Sequence, residues 1–231
     1  MWLNKEKTSE LKIKNYRHSL LASCPNHIVI DDLFNTKKLD KVVSILQQAD
    51  NWKTQKHTYD SLYVNNSQWD KTCSEERFVK RDAWQYPQHE NDHQASHNPA
   101  QDFLCFLRSE EFMAFLSRIF NVQLTDLNVA NPTINTNFFR LGGDDFVEIH
   151  ADDSPGREVC MLIYLNKDWS IDAGGELVFS GKHKPISITP FYNRCVLFDP
   201  SSEGAEHWVR RLNATNLVSY RYNITSWYWS E

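Results

Sequence analysis

Along this chain the period of the apolar positions changes near residue 131. Before that point the clearest pattern is helical. Leu39, Val42, Val43, Leu46 and Ala49 recur at three- and four-residue spacing, which predicts an amphipathic helix over roughly 36–50. Asn98-Pro99 offers an N-cap followed by proline at the first helical position. Phe103, Leu104, Phe106 and Leu107 give that helix an apolar face, and Phe112, Met113, Phe115, Leu116 and Ile119 define a second one. Residues 27–30 read as a short buried strand and 31–35 as a turn. Residues 51–97 follow neither period. Trp52, Tyr59, Tyr63, Trp69, Trp84 and Tyr86 lie there among Asn, Gln, Asp and Lys. Two readings of that segment stand level: a substrate-facing loop region, or a weakly patterned pair of strands.

After residue 131 short strand-like runs alternate with turn residues. The runs are 136–141, 146–150, 159–165, 176–180, 186–189, 195–198 and 218–229, punctuated by Gly142-Gly143-Asp144-Asp145, Asp153-Ser154-Pro155-Gly156, Asp172-Ala173-Gly174-Gly175 and Asp199-Pro200-Ser201-Ser202. This predicts a mainly β fold with flanking helices, its core a sandwich, barrel or jelly roll. No internal repeat and no Pro- or Gly-rich linker divides the chain. The expectation is one domain over 1–231, with a helix-rich support region at 1–130 and the β-core at 131–231.

Composition removes several function classes. The 231 residues are 41% hydrophobic, 13% aromatic and 24% charged, with a formal net charge of -5. Mild acidity points away from nucleic acid or an anionic membrane as the main partner. The N-terminus is polar, without the apolar stretch of a signal peptide, and no run reaches a membrane span. Five scattered cysteines with no CxxC pair fit a reducing cytoplasm better than a disulfide framework. A cytoplasmic monomer or homodimer is expected.

The candidate chemistry lies in the β half. In a strand, residues i and i+2 share a face, so His150 and Asp152 project side by side from the end of the 146–150 run. His207 sits after a turn, where a returning strand could bring it across. Two histidines and one carboxylate can hold one face of a non-haem Fe(II) and leave the other open. Near the C-terminus, Arg221, Asn223, Thr225 and Trp227 share one strand parity. Arginine offers a planar fork that grips a carboxylate through two bonds. Taken singly, a His-x-Asp pair or a lone arginine is common on protein surfaces, and the ordered combination is what carries weight.

A second motif competes. His89-Glu90-Asn91-Asp92-His93 fits the HExxH pattern of zinc hydrolases, with His97 on the same face if the segment were helical. Pro87, Asn91, Asp92, Asn98 and Pro99 are poor residues for such a helix, and no long apolar face would bury it. A polar, histidine-rich loop is the simpler reading.

From about Asn137 to Trp229 the chain resembles the catalytic core of the prolyl-4-hydroxylase-like family of 2-oxoglutarate- and Fe(II)-dependent dioxygenases. Six pieces match in order: His150-Ala151-Asp152; Arg157 before the next strand; Ile163-Tyr164-Leu165-Asn166-Lys167-Asp168-Trp169; Gly174-Gly175-Glu176-Leu177; His207; and Arg221 through Trp227. The resemblance implies a double-stranded β-helix, that is, a cupin-like jelly-roll core. It implies that His150, Asp152 and His207 bind Fe(II), that Arg221 pairs with the distal carboxylate of 2-oxoglutarate, and that Tyr164 and Thr225 bond the same group. Arg157 is a candidate substrate contact, although ordering the loop after Asp152 suits it better. Gly174 and Gly175 read as turn formers, and Trp169 and Trp227 as core. The implied reaction hydroxylates an unactivated C–H bond of a prolyl residue, an amino acid or an amino-acid-derived small molecule. It consumes O2 and releases succinate and CO2, with ascorbate a candidate accessory reductant. The alternatives are the zinc hydrolase and a non-catalytic binding module that keeps only the fold. One departure stands out: the interval from His207 to Arg221 exceeds the nine or ten residues usual in the family. An extended hairpin loop between two intact strands accounts for it, with Arg210 and Arg211 as rivals for the role of Arg221.

Overall fold

A computed structural model of the chain describes residues 1–85, 98–127, 129, 135–213 and 220–230. The first part runs α1 (Glu10–Ala22), β1 (His27–Asp31), α2 (Thr36–Gln48), β2 (Trp52–Thr58), α3 (Asn66–Lys71), β3 (Arg77–Trp84), α4 (Pro99–Leu107), α5 (Glu110–Phe120) and β4 (Leu124–Thr125). Eight strands follow: β5 (Thr136–Leu141), β6 (Phe146–His150), β7 (Arg157–Tyr164), β8 (Leu177–Phe179), β9 (Ile186–Ile188), β10 (Arg194–Phe198), β11 (His207–Val209) and β12 (Arg221–Ser230).

Local chemistry sets the helix starts. The Asn35 side chain accepts the Lys38 N–H at the head of α2, Asn98 accepts from Ala100 and Gln101 ahead of Pro99, and Ser109 caps α5. Asn121, in a left-handed conformation at φ 58°, closes α5. Helix α1 was not anticipated. It buries Ile13 and Leu20 alone, too sparse a pattern to register as periodicity.

The strands form one antiparallel sheet in the order β1-β10-β7-β12-β5-β3-β6-β11-β8-β9, with β2 added on β3 and β4 on β12. It curls into a jelly-roll double-stranded β-helix. Strand β7 shows why the fold has two cores. Val159, Met161 and Ile163 face outward and join Phe138, Ile224 and Tyr228 against Leu39, Phe103, Leu107, Phe112 and Leu116 of the helices. Cys160, Leu162 and Tyr164 face inward and meet Leu177, Phe179, Val196 and Phe198. Burial on both faces explains the unbroken apolar run in this strand.

The segment 51–97 resolves, over its described residues, toward the strand reading. β2 and β3 pair from Trp52↔Trp84 to Thr58↔Arg77 around α3. β3 also pairs with both β5 and β6, so it carries the sheet from one half of the barrel to the other. Four strands of the first 130 residues thus belong to the sheet: β1 at the expected 27–30, the β2–β3 pair, and β4, which was not expected. The His89–His93 motif and His97 lie outside the described residues.

Candidate active site

His150 ends β6, and His207 begins β11 as its register partner across the sheet. Their imidazole rings stand 4.4 Å apart between centres. Asp152 follows two residues after His150, with Oδ1 3.9 Å from His150 Nε2 and Oδ2 3.7 Å from His207 Nε2. One ligand atom from each of the three can lie within 4.8 Å of the others. The His-x-Asp spacing therefore does what strand geometry requires, and the antiparallel pairing delivers the second histidine.

Both rings are oriented by the backbone. His150 Nδ1 donates to the Glu148 carbonyl at 2.9 Å, and His207 Nδ1 donates to the Ala205 carbonyl at 3.0 Å. A carbonyl only accepts, so each Nδ1 carries a proton and each Nε2 is left facing the centre. His207 is buried, and burial together with neighbouring His150 pushes its pKa down to about 4, against the opposing pull of Asp152 and the Ala205 carbonyl. It is a neutral imidazole at ordinary pH, the form that binds a metal. Burial pushes Asp152 upward. His150, His207, the Trp227 indole and Arg157 together outweigh it and hold the carboxyl below its usual range.

Trp227 packs against the inner core, as the sequence reading expected, and also reaches the site. Its Nε1 donates to Asp152 Oδ2 at 2.9 Å. Cys160, the facing residue on β7, points its thiol at the same oxygen at 3.7 Å. Arg157 donates to the Asp152 main-chain carbonyl and lies 3.8 Å from its carboxylate, which fits ordering of this loop. It also lines the adjoining cavity.

The inward face of β12 continues away from Trp227 through Thr225 and Asn223 to Arg221. Asn223 Nδ2 donates to Thr225 Oγ1 at 3.1 Å, and Arg221 Nη1 donates to Asn223 Oδ1 at 2.8 Å. Arg221 Nε donates to the Gly175 carbonyl at 2.7 Å. Its Nη2 is buried without a hydrogen-bond partner, and so is the hydroxyl of Tyr164, whose ring centre lies 5.0 Å from the guanidinium. Burial pushes the Tyr164 pKa up to about 12, so it remains a proton donor, and burial lowers that of Arg221 against the pull of Tyr164 and Glu176. Two enclosed donors side by side, with no carboxylate or carbonyl bonded to Arg221 Nη2 or the Tyr164 hydroxyl, describe a place for an acceptor-rich anion.

Arg210 and Arg211, the rivals of Arg221, are more than half exposed and turned to Glu176 and Glu148 respectively. Two details fix Arg221 instead. Gly175, at φ 78°, lies so close that a Cβ there would sit 2.9 Å from Arg221 Cδ, so it positions the arginine as well as forming the turn. Asn166 accepts the Tyr222 N–H at 2.6 Å and donates to the Tyr220 carbonyl at 2.7 Å, pinning the start of β12 to the end of β7. Sequence reading left Asn166 and Asn223 without roles. Strand parity already placed Asn223 beside Arg221, and a buried amide there needs partners.

A cavity of ≈ 480 Å³ opens onto His150, Asp152, Arg157 and Trp227 from the side of β2 and β3. His57, Tyr59, Tyr63, Phe78 and Arg81 supply its other wall. Tyr59 Oη donates to the Ile149 carbonyl at 2.8 Å, tying this wall to the strand that carries His150.

Comparison with known proteins agrees with this geometry. Residues 136–229 match the 2OG-Fe(II) oxygenase superfamily. Prolyl 3-hydroxylase OGFOD1 of Xenopus laevis is 30% identical over 129 residues, covering 52% of this chain and 24% of that protein. The Mus musculus protein of the same name is 28% identical over 130 residues, covering 53% and 22%. The chain thus spans about a quarter of the length of these relatives. In fold it is similar to a Trichoplax adhaerens prolyl hydroxylase in complex with a hypoxia-inducible-factor peptide fragment (TM-score 0.62, 19% identity, 98% of this chain and 96% of that one). A Pseudomonas putida prolyl-4-hydroxylase is similar as well (TM-score 0.60, 13% identity, 95% and 99%).

Proposed function

We propose that the chain is a 2OG-Fe(II) oxygenase of the prolyl-4-hydroxylase-like kind, a reading supported by the match over residues 136–229, and that it hydroxylates an unactivated C–H bond of a prolyl residue, an amino acid or an amino-acid-derived molecule. The whole of 1–231 would act as one catalytic domain. The observation that carries this reading is the convergence of His150, Asp152 and His207, with both Nε2 atoms free to bind. Two imidazoles and one carboxylate are the donor set that holds Fe(II) facially. When bound, the iron supplies the oxidising power that turns C–H into C–OH while 2-oxoglutarate and O2 become succinate, CO2 and the inserted oxygen.

The protein's own groups do the positioning. Arg221 Nη2 and the Tyr164 hydroxyl hold the distal carboxylate of 2-oxoglutarate, an anion whose two oxygens would satisfy both. Asn223 keeps the guanidinium in plane by bonding its Nη1, and Thr225 supports Asn223 from the next inward position. Trp227 bonds Oδ2 of Asp152 and would orient that carboxylate for a bound iron. The apolar side chains Leu162, Phe179 and Phe198 keep water from this end of the barrel. Arg157 orders the loop after Asp152 and reaches the cavity where substrate would lie.

The prolyl hydroxylases among the relatives and fold neighbours support a peptidyl or amino-acid-like substrate. Among the described residues no helix is long and apolar enough to cross a membrane. All five cysteines are free, which supports a reducing, cytoplasmic setting. The test is succinate release with added Fe(II) and 2-oxoglutarate, read beside a mass gain of one oxygen across amino acids and proline-bearing peptides. Activity should vanish in His150→Ala and Asp152→Ala. Full turnover in either variant would exclude the assignment and revive a site elsewhere.

A further inference from the structure

The wall formed by β2 and β3 holds two donors that the mechanism above does not use. Alternation along β3 puts Arg81 on the inward face with Ala83, which pairs with Phe139 on β5. The Arg81 guanidinium stacks on the Phe139 ring at 3.6 Å. Its Nε is buried without a partner, and among the described residues it forms no ion pair. Cations facing the other way are matched: Lys80 lies 3.3 Å from Asp145, and Arg140 lies 3.0 Å from Asp82. The inward arginine is the exception.

His57, on β2, is its neighbour in the same cavity. The buried ring accepts the Tyr63 N–H at Nδ1, 3.2 Å away, so the neutral tautomer carries its proton on Nε2. That Nε2 is enclosed and unpartnered too. Burial, reinforced by Arg81 and His150, pushes the pKa down to about 4, which keeps the ring a neutral donor. A charged donor and a neutral donor therefore share one chamber, where the Asp152 carboxylate attracts Arg81 but neither Arg81 Nε nor His57 Nε2 has a hydrogen-bond partner. Such a pair costs stability unless a ligand bonds it.

The ligand is an anion with forked acceptors, and two sources could supply a carboxylate beside the metal: the co-substrate or the substrate. The cavity lined by Arg81 and His57 is lined by neither Arg221 nor Tyr164, so the donors assigned to 2-oxoglutarate face a different space. We propose that Arg81 and His57 form a carboxylate subsite for the substrate. The substrate then carries a free carboxylate near its reacting carbon, as in a free amino acid, a chain-terminal residue or an acidic side chain. This inference rests on the hydroxylase reading.

The test is calorimetric titration of the Mn(II)- and 2-oxoglutarate-loaded protein with amino acids and N-acetylamino acids, each beside its amide. At least one acid should outbind its amide by tenfold or more in the unmodified protein, a comparison that needs no variant to fold. Arg81→Gln and Arg81→Met, checked for cooperative melting, should erase that preference and leave 2-oxoglutarate affinity within about twofold. Absence of any acid preference, or its survival in both variants, overturns the proposal. A tenfold loss of 2-oxoglutarate affinity in Arg81→Gln assigns the arginine to the co-substrate and overturns it also. Failure of the unmodified protein to bind 2-oxoglutarate at all would instead overturn the hydroxylase reading beneath it.

Discussion

Trp227→Phe isolates one hydrogen bond to the iron site. The indole Nε1 lies 2.9 Å from Asp152 Oδ2, a charge-assisted contact in a largely enclosed setting. Removing a bond to a charged acceptor costs about 1.5–3 kcal/mol. At about 1.4 kcal/mol per tenfold, that corresponds to roughly 10- to 150-fold in whatever equilibrium depends on the oriented carboxylate. The expected loss of metal affinity for a group supporting a ligand is about 10–100-fold, so the two routes agree. Phenylalanine keeps a ring against Arg157, whose guanidinium lies 5.6 Å from the Trp227 ring centre. The assay is competitive Mn(II) titration of the unmodified protein and the variant, with thermal unfolding of both metal-free forms as control. Metal affinity should fall by at least tenfold while the melting temperature moves by only a few degrees. An affinity unchanged within twofold, in a variant that unfolds cooperatively, would refute the idea that Trp227 tunes Asp152. A metal affinity that falls only in proportion to a large loss of stability would refute it too, by making the residue a packing element.

Arg221→Lys should raise the KM for 2-oxoglutarate by tenfold or more with a smaller fall in kcat, because an ammonium cannot bond Gly175, Asn223 and a carboxylate at once; steady-state kinetics checks the split. Gly175→Ala should destabilise the protein by about 2–4 kcal/mol, from the positive φ and the contact with Arg221 together, and should also raise that KM; chemical denaturation and kinetics read the two effects. His57 has a folded-state pKa of about 4 against 6.5 when unfolded. The unfolded chain then binds more protons between those values, so this contribution is complete above pH 6.5 and is lost as pH falls toward 4, by up to about 3 kcal/mol. His57→Phe should flatten that part of the stability–pH curve, and an unchanged slope would show that other groups set it.

The β half was legible because its signals are local. Strand parity alone aligned Arg221, Asn223, Thr225 and Trp227, and it set His150 beside Asp152. The approach of His207 needed long-range pairing, which the sequence shows only through order and resemblance. The strand structure of 51–84 was left open by pattern reading for a physical reason. β3 has partly buried polar residues on both faces, since Arg81 faces a cavity while Lys80 and Asp82 pair with ions on the far side. Neither face is apolar enough for alternation to appear. Helix α1 failed for the same lack of contrast, with two buried residues seven apart.

The two hydrogen bonds of Asn166 bear on how this chain could accommodate its unusual spacing. They tie Tyr220 and Tyr222 to the end of β7 rather than to β11. The coordinate frame of Arg221 is therefore set by the end of β7 and by Gly175, whose N–H donates to the Arg210 carbonyl at 3.0 Å while its own carbonyl holds Arg221 Nε. Counting residues from the distal histidine measures contour length alone. The anion anchor is registered by the amide at position 166 and the carbonyl of Gly175, not by the number of residues that follow His207.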